Sequence, residues 1–178
     1  VVIICLFFIN SSVNAQEVEF YEAEKIDGIY TKSVRNNETH YQKARFFRRK
    51  SDNKAAYCIE PFEFFYPEYM YSDIKNINDI SDDVLKKISL IAYYGYNYDN
   101  HTDNKWYAIT QLMIWKETNR EGDFYFTDTL NGNRVNKYEE EINEIKELVD
   151  KHDKLPSFSN QVIDIKYGSN IIDEWGET

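Results

Sequence analysis

The chain has 178 residues, of which 42% are hydrophobic and 16% aromatic, and its formal net charge is −10. This length suits one domain with a terminal extension, and the hydrophobic content supports a packed core rather than disorder. The acidity argues against nucleic acid or an anionic lipid surface as the main partner. Two cysteines are too few for a disulfide framework or a cysteine-rich zinc module.

The N-terminal segment changes the cysteine count. An apolar run at 1–9 precedes a short polar stretch in which Val13 and Ala15 occupy the small-residue positions of a cleavage site. This pattern is typical of a secretory signal peptide whose basic start is cut off, and it is too short to span a membrane. We expect residues 1–15 to be removed and 16–178 to form the mature domain. A buried N-terminal strand and a lipoprotein signal at Cys5 are the weaker interpretations.

The first third of the mature chain predicts β-structure. Two strand-like stretches, Ile26 to Val34 and His40 to Arg49, are joined by a turn signal at 36–38. Gly28 predicts a turn or a bulge beside the first stretch.

The segment around the remaining cysteine predicts a buried strand. Lys54 to Ile59 is short and apolar, and Pro61 follows it, so we expect Cys58 to lie inside the strand. The aromatic-dense stretch 62–71 contains a proline and is more typical of a packed loop than of a helix.

Two helices are predicted next. Ser81 as N-cap and Gly95 as stop signal bound the first helix. The second runs from Lys105 to about Thr118, and the last residues of the polar loop 97–104 can cap its start. It is apolar nearly all round, so we expect it to be buried centrally.

A third helix and a final strand complete the pattern. The helix runs from about Lys137 to His152, and Asn136 with Glu139 forms a capping-box-like start. Val162 to Tyr167 alternates and predicts a strand, with a further short strand at 171–172. The order of elements predicts a mixed α+β domain rather than a parallel α/β sheet.

One polar residue stands out in the second helix. Gln111 lies between the Tyr107 and Trp115 rings, one turn away on either side. A buried amide needs hydrogen-bond partners. Taken singly, a core glutamine bonded to backbone and a Cys58 that packs as a small hydrophobe are both ordinary structural explanations.

Taken together, two segments resemble the signatures of the thioester-domain (TQXA) family of Gram-positive surface adhesins: Tyr57-Cys58-Ile59-Glu60 and Thr110-Gln111-Leu112-Met113-Ile114-Trp115. The family pattern is an early cysteine after an aromatic or aliphatic residue, then Thr-Gln-x-Ala-(Ile/Val)-Trp on a helix. The chain keeps the threonine, glutamine, isoleucine and tryptophan, and it departs at Met113, where the family usually has alanine. The order of elements extends the resemblance over most of 16–178.

The resemblance implies an internal thioester, formed when the Cys58 sulfur attacks the Gln111 carboxamide and expels ammonia. The bond would join a strand to a helix, in a fold with a β-sandwich or barrel-like part and an inserted helical part. The residues expected to bind at or shield the bond are Tyr57, Tyr107, Thr110 and Trp115.

The resemblance also implies an adhesin that attaches covalently to an amine, such as a lysine of a host-surface or matrix protein, with fibrinogen-like proteins among the candidates. Each molecule would react once, so we expect no turnover enzyme, no cofactor and no metal. The expected setting is a monomeric domain within a longer protein, secreted to the cell wall of a Gram-positive bacterium, with a stalk beyond the printed sequence.

Two other functions stay open. One is a non-covalent secreted binding module in which Cys58 remains a buried thiol. The other is a cysteine hydrolase, in which a histidine pairs with Cys58. Of His40, His101 and His152, His101 is the best candidate because its loop leads into the Gln111 helix, and the dispersal of the three argues against a metal site.

Overall fold

A computed structural model of the chain describes residues 17–62, 71–72 and 80–152. The strands are Glu17–Val18 (β1), Phe20–Arg35 (β2), Glu38–Arg49 (β3), Ala55–Ala56 (β4), Tyr71–Ser72 (β5) and Asp123–Thr127 (β6). The helices are Asp82–Tyr94 (α1), Asn104–Thr118 (α2) and Glu139–Lys151 (α3). The signal segment, most of the aromatic loop and the predicted strands after 160 lie outside the described residues.

Two long antiparallel strands form the centre of a four-stranded sheet of order β4-β3-β2-β6, and β1 pairs separately with β5. The β2–β3 turn is made by Asn36 and Asn37, both with positive φ, as a tight hairpin turn requires. Gly28, with φ 71°, lies where the β2–β3 register slips between Lys25 and Tyr30. The bulge that the sequence predicts at this glycine is confirmed.

Strand β6 is absent from the sequence prediction. Its Phe124 and Phe126 are buried on one side of the sheet, and its backbone pairs with β2 from Tyr30 to Val34. The segment does not alternate strictly between polar and apolar residues, because Tyr125 separates the two phenylalanines, so its sequence alone does not identify a strand. The segment is a strand because β2 supplies its hydrogen-bonding partner.

Helices α1 and α2 begin where their capping residues predict. The Ser81 hydroxyl accepts a hydrogen bond from the Val84 N–H, and the Asp103 carboxylate accepts one from the Lys105 N–H. In α2 all ten residues from 106 to 115 are buried, which confirms the prediction of a central helix.

Gly95 ends α1 for a reason of packing. Its φ of −79° is open to any residue, but an added Cβ would lie only 2.0 Å from the Thr110 hydroxyl oxygen of α2. The missing side chain therefore lets α2 approach the end of α1 closely.

Helix α3 begins later than the sequence predicts. Its N-cap is Tyr138, which has a left-handed backbone with φ 65° and makes no side-chain capping bond. The prediction of a capping box formed by Asn136 and Glu139 is therefore wrong. The Tyr138 ring packs edge-on against Phe126 at 5.2 Å, and this contact with the sheet sets the entry into the helix.

The α+β class is confirmed by a four-stranded antiparallel sheet with three helices. Helix α2 contacts β2, β3 and β6 as well as α1 and α3, so it is the layer between the sheet and the other helices. The sandwich or barrel-like arrangement of the β-part stays a prediction. Within the described ranges no helix has both the length and the apolar character that a membrane crossing needs.

Candidate functional site

Cys58 and Gln111 lie against each other, although 53 positions separate them in the sequence. The Cys58 N–H donates to Gln111 Oε1 at 2.8 Å, and Gln111 Nε2 donates to the Cys58 carbonyl at 2.6 Å. The glutamine amide thus pairs with the cysteine backbone as a neighbouring strand would.

This pairing corrects the predicted strand. Strand β4 ends at Ala56, so Cys58 is not inside a strand. In a strand, the Cys58 N–H and carbonyl would form hydrogen bonds with a neighbouring strand. Here both groups form hydrogen bonds with the side chain of Gln111. A side chain from a distant helix is a partner that local sequence patterns do not reveal.

The cysteine thiol and the amide carbonyl are both held in defined positions. Cys58 Sγ donates to the Glu60 carbonyl at 3.0 Å. The carbonyl oxygen of Gln111 accepts the Cys58 N–H, and a backbone N–H in this place stabilises negative charge that develops on the oxygen during nucleophilic attack. Cys58 therefore offers both a nucleophile and a donor for the developing charge.

The loop after Cys58 is fixed by the end of α2 and the end of β2. The Ile59 carbonyl accepts hydrogen bonds from the Thr118 hydroxyl at 2.8 Å and from Asn119 Nδ2 at 3.2 Å. Arg35 donates to Glu60 Oε2 at 3.1 Å and to Asn119 Oδ1 at 2.5 Å. Because the Arg35–Glu60 bond is charge-assisted and partly buried, it holds the loop firmly in place.

Tyr107 forms an aromatic wall beside the pair. Its ring stacks on Phe46 with a centroid distance of 4.1 Å and on Tyr57 at 5.0 Å. Its hydroxyl donates to the Ala56 carbonyl at 2.5 Å and accepts from the Phe47 N–H at 3.3 Å. Burial raises the pKa of Tyr57, so this phenol stays neutral.

The other two residues named from the motif have different surroundings. Trp115 is buried and lines the same cavity as Cys58 and Gln111. Thr110 donates to the Trp106 carbonyl at 2.7 Å and accepts from the Tyr96 N–H at 3.1 Å. The threonine of the motif therefore ties α2 to the residues that follow α1.

A cavity of about 370 Å³ opens beside the cysteine and the glutamine. Its lining includes Cys58, Gln111 and Trp115, from α2 and the loop bonded to it, and residues 39–45 of β3. The cavity gives a small group access to the Gln111 carboxamide.

His101 has partners other than Cys58. Its Nδ1 lies 2.8 Å from the Tyr94 carbonyl oxygen, and its Nε2 lies 3.3 Å from Glu144 Oε1. Its ring stacks on Trp106 at 3.5 Å. The prediction that it is the histidine best placed for Cys58 is wrong, because its loop folds back onto the end of α1.

The two remaining histidines lie in different parts of the domain. His152 Nδ1 lies 2.8 Å from the Tyr94 hydroxyl, at the helical side of the domain. His40 on β3 lines the cavity that contains Cys58. In the part of the chain that the structure describes, no group of three histidine, cysteine or carboxylate side chains could hold a metal ion.

Sequence reasoning missed the three residues that fix the loop, namely Arg35, Glu60 and Asn119. Glu60 was named only as the last residue of the cysteine segment, and Arg35 and Asn119 lie just beyond the ends of the predicted strand and helix. Their connection depends on the β2–β3 hairpin reaching the end of α2, which local patterns do not reveal.

Comparison with known proteins agrees with the geometry. The family profile described as thioester domain matches residues 55–154, which is more than half of the chain and includes both Cys58 and Gln111. No curated protein and no solved structure matches the chain. The chain belongs to the thioester-domain family.

Proposed function

We propose that the chain is a surface adhesin domain that forms a thioester between Cys58 and Gln111 and transfers the Gln111 acyl group to an amine of a target protein. The observation that carries the proposal is the reciprocal pair of hydrogen bonds between the Gln111 carboxamide and the Cys58 backbone. Membership of the thioester-domain family supports it. Secretion to a Gram-positive cell wall and a lysine of a host or matrix protein as target are parts of the proposal.

The first step joins sulfur to carbon and releases ammonia. The Cys58 sulfur adds to Gln111 Cδ, and the negative charge that develops on Oε1 is stabilised by the Cys58 N–H. The Cδ–Nε2 bond then breaks. The nitrogen leaves with the thiol proton as ammonia, so the products are a thioester and one ammonia.

The second step joins the target. An uncharged amine of the target adds to Cδ, the Cδ–Sγ bond breaks, and one amine proton passes to the Cys58 sulfur. The products are an amide between Gln111 and the target and a restored Cys58 thiol. Sulfur suits both steps because a thiolate is a strong nucleophile and also a good leaving group. Each molecule gives up its acyl group once, so the domain is not a turnover enzyme.

The surroundings of the pair favour both steps over hydrolysis. The amide is inert in water, so the fixed loop and the fixed helix supply the closeness that the first step needs. The rings of Tyr57, Tyr107 and Trp115 limit the approach of water from the side of α2.

The test is the intact mass of the purified protein. We expect a mass lower by one ammonia than the sequence requires, and a gain of one methylamine after incubation with that amine. Cys58→Ala and Gln111→Asn should have their full masses and should not react, since Gln111→Asn keeps an amide but shortens the arm. A full wild-type mass with a Cys58 that alkylates readily under native conditions would point to the non-covalent binding module instead.

A second candidate function is a cysteine hydrolase that uses His40. The observation that favours it is that His40 and Cys58 line one cavity. Hydrolysis of an activated ester with repeated turnover, lost in both Cys58→Ala and His40→Ala, would support it. A single reaction per molecule excludes it.

A further inference from the structure

We propose that the target binds as an extended peptide segment along the edge of β3, where it adds a strand to the sheet and directs its lysine into the cavity. This inference rests on the proposed function, because the amine that enters the cavity is the one that opens the thioester. It adds a mode of recognition in which the main chain of the target is bound.

The first observation is the extent of β4. This strand pairs with β3 only at Phe47 and Arg48. From Tyr41 to Arg45, β3 pairs with β2 on its other side, and none of the strands in the described ranges pairs with these residues on the β4 side. An edge strand of this kind presents backbone groups that can pair with another chain.

The second observation is the direction of the backbone groups. The Arg49 N–H donates to the Lys54 carbonyl at 2.9 Å, on the β4 side, and the Phe47 N–H points the same way towards α2. Along a strand, backbone groups point alternately to the two sides. The N–H and carbonyl groups of Arg45 and Lys43 therefore face the same edge.

The third observation is that the edge opens onto the site. The cavity is lined by the seven consecutive residues 39–45. Because strand side chains alternate between two faces, a cavity lined by all seven residues reaches the edge of β3, in addition to the sheet face where it is lined by Thr31 of β2. Cys58 and Gln111 line the same cavity, so a segment paired with β3 would lie beside them. A lysine that points inward from such a segment reaches the Gln111 acyl carbon.

The fourth observation is that three residues lining the cavity carry buried polar atoms without a hydrogen-bond partner in the described part of the chain. Among the described residues, Thr31 Oγ1, Gln42 Nε2 and Trp115 Nε1 are buried and make no hydrogen bond. Thr31 is 3% exposed and Trp115 is 7% exposed, and all three residues line the cavity. Buried polar groups normally have partners. The amide and the indole are therefore donors, in residues that line the cavity, that no group in the described part of the chain satisfies.

The charges along this edge do not oppose a bound strand. Lysine and arginine on an edge strand usually discourage pairing. Here Lys43 forms an ion pair with Asp27, and Arg45 forms one with Glu22 at 3.2 Å. Both carboxylates belong to β2, so the charges are held towards the sheet rather than along the free edge.

The first experiment uses short peptides with one central lysine between threonine and valine residues, and n-butylamine as the matched amine without peptide groups. At concentrations below saturation, we expect the peptide to form the adduct about tenfold faster, which corresponds to about two net hydrogen bonds. Two methylated peptides are compared, one with the odd and one with the even backbone nitrogens methylated. Only one of these two sets of N–H groups faces β3, so one peptide should lose the rate advantage and the other should keep it. Adducts are measured by intact mass.

The second experiment changes the edge itself. Lys43→Pro removes the outward N–H at a position where an edge strand tolerates proline, and Lys43→Ala removes only the side chain. With each peptide rate divided by the n-butylamine rate of the same variant, the proline variant should lose the tenfold advantage and the alanine variant should keep it. The methylated peptides test the wild type directly, so the inference stays falsifiable if the proline variant does not fold.

The outcomes separate the inference from the proposed function. If methylamine opens the thioester but the two methylation patterns react alike, the edge does not bind the target and the inference is wrong. If the protein is a dimer that Lys43→Pro dissociates, the edge belongs to a second copy and the inference is also wrong. If methylamine itself does not react, the proposed function fails and the inference fails with it.

Discussion

Two faces of the buried helix α2 use polar groups for different purposes. Its packing face, formed by Trp106 and Thr110, meets Gly95 and His101 at the end of α1. Its cavity face, formed by Tyr107, Gln111 and Trp115, meets the Cys58 loop and the cavity. On the packing face the hydroxyl of Thr110 is bonded to backbone within a close helix contact.

The cavity face differs in two respects. The Gln111 amide is hydrogen-bonded to the backbone of Cys58, the residue that carries the thiol. The Trp115 indole N–H has no hydrogen-bond partner in the described part of the chain. Burial of a polar group alone therefore does not mark function. We expect changes on the packing face to lower stability without altering the thioester content of the folded molecules, and changes around the cavity face to alter that content.

The largest effect is expected for Gly95→Ala. The added Cβ would lie 2.0 Å from Thr110 Oγ1 and 2.7 Å from its Cγ2, so the contact between α1 and α2 must open. We expect a loss of about 3 kcal/mol in the free energy of unfolding, measured in urea. The ammonia loss per folded molecule should be unchanged. Thr110→Ala in the same chain should recover part of the cost, and strict additivity of the two changes would contradict this account.

Arg35→Met tests the loop that carries Cys58. It removes the bonds to Glu60 and Asn119 while keeping much of the apolar stem, so we expect a loss of about 2 kcal/mol. The fraction of molecules with the thioester should also fall, because the loop is less firmly held. Arg120→Met, at an exposed ion pair, is the matched control and should change stability by less than about 0.5 kcal/mol. A normal thioester fraction in Arg35→Met would show that the loop needs no such anchor.

Tyr107→Phe should have a smaller effect. The stacked ring remains, but the bonds of its hydroxyl to the Ala56 carbonyl and the Phe47 N–H are lost. We expect a loss of about 1 kcal/mol by thermal or urea unfolding. The thioester should still form, because the ring that limits water remains. Tyr93→Phe, at a more exposed tyrosine, serves as the control.

The smallest effect is expected away from both faces. Hydrogen bonds from the Arg49 side chain lower the pKa of Asp52 below its ordinary value of 3.8. Because the folded pKa is lower than the unfolded one, this stabilisation is present above pH 3.8 and is lost as the pH falls through the folded value. Because the Asp52 side chain is still 31% exposed and water screens the pair on that side, we expect about 0.5 kcal/mol. Asp52→Asn should flatten the acid limb of the stability curve measured by urea unfolding.

The parts of the fold that depend on local signals could be predicted. The starts of α1 and α2 follow from Ser81 and Asp103, whose side chains cap the first turns. The burial of α2 follows from its apolar circumference. The juxtaposition of Cys58 and Gln111 was expected from the resemblance to a family and not from either residue alone.

The parts that depend on distant partners could not be predicted. Strand β6 exists because β2 pairs with it, and Cys58 leaves the strand because a helix side chain takes its backbone bonds. The start of α3 is set by the Tyr138 contact with Phe126 rather than by a capping box. His101 is adjacent to the Gln111 helix in sequence, yet its loop turns towards the other helices.

The separation of Cys58 and Gln111 along the chain has a consequence for unfolding. A thioester between residues 53 positions apart would close a covalent loop that contains all of α1. In the chain-entropy model a cross-link over a loop of this length stabilises the folded state by about 4 kcal/mol. When an amine opens the thioester, that loop opens as well. A domain that has captured its target is therefore expected to unfold more easily than one that has not, so capture can be followed calorimetrically as a lowered melting temperature.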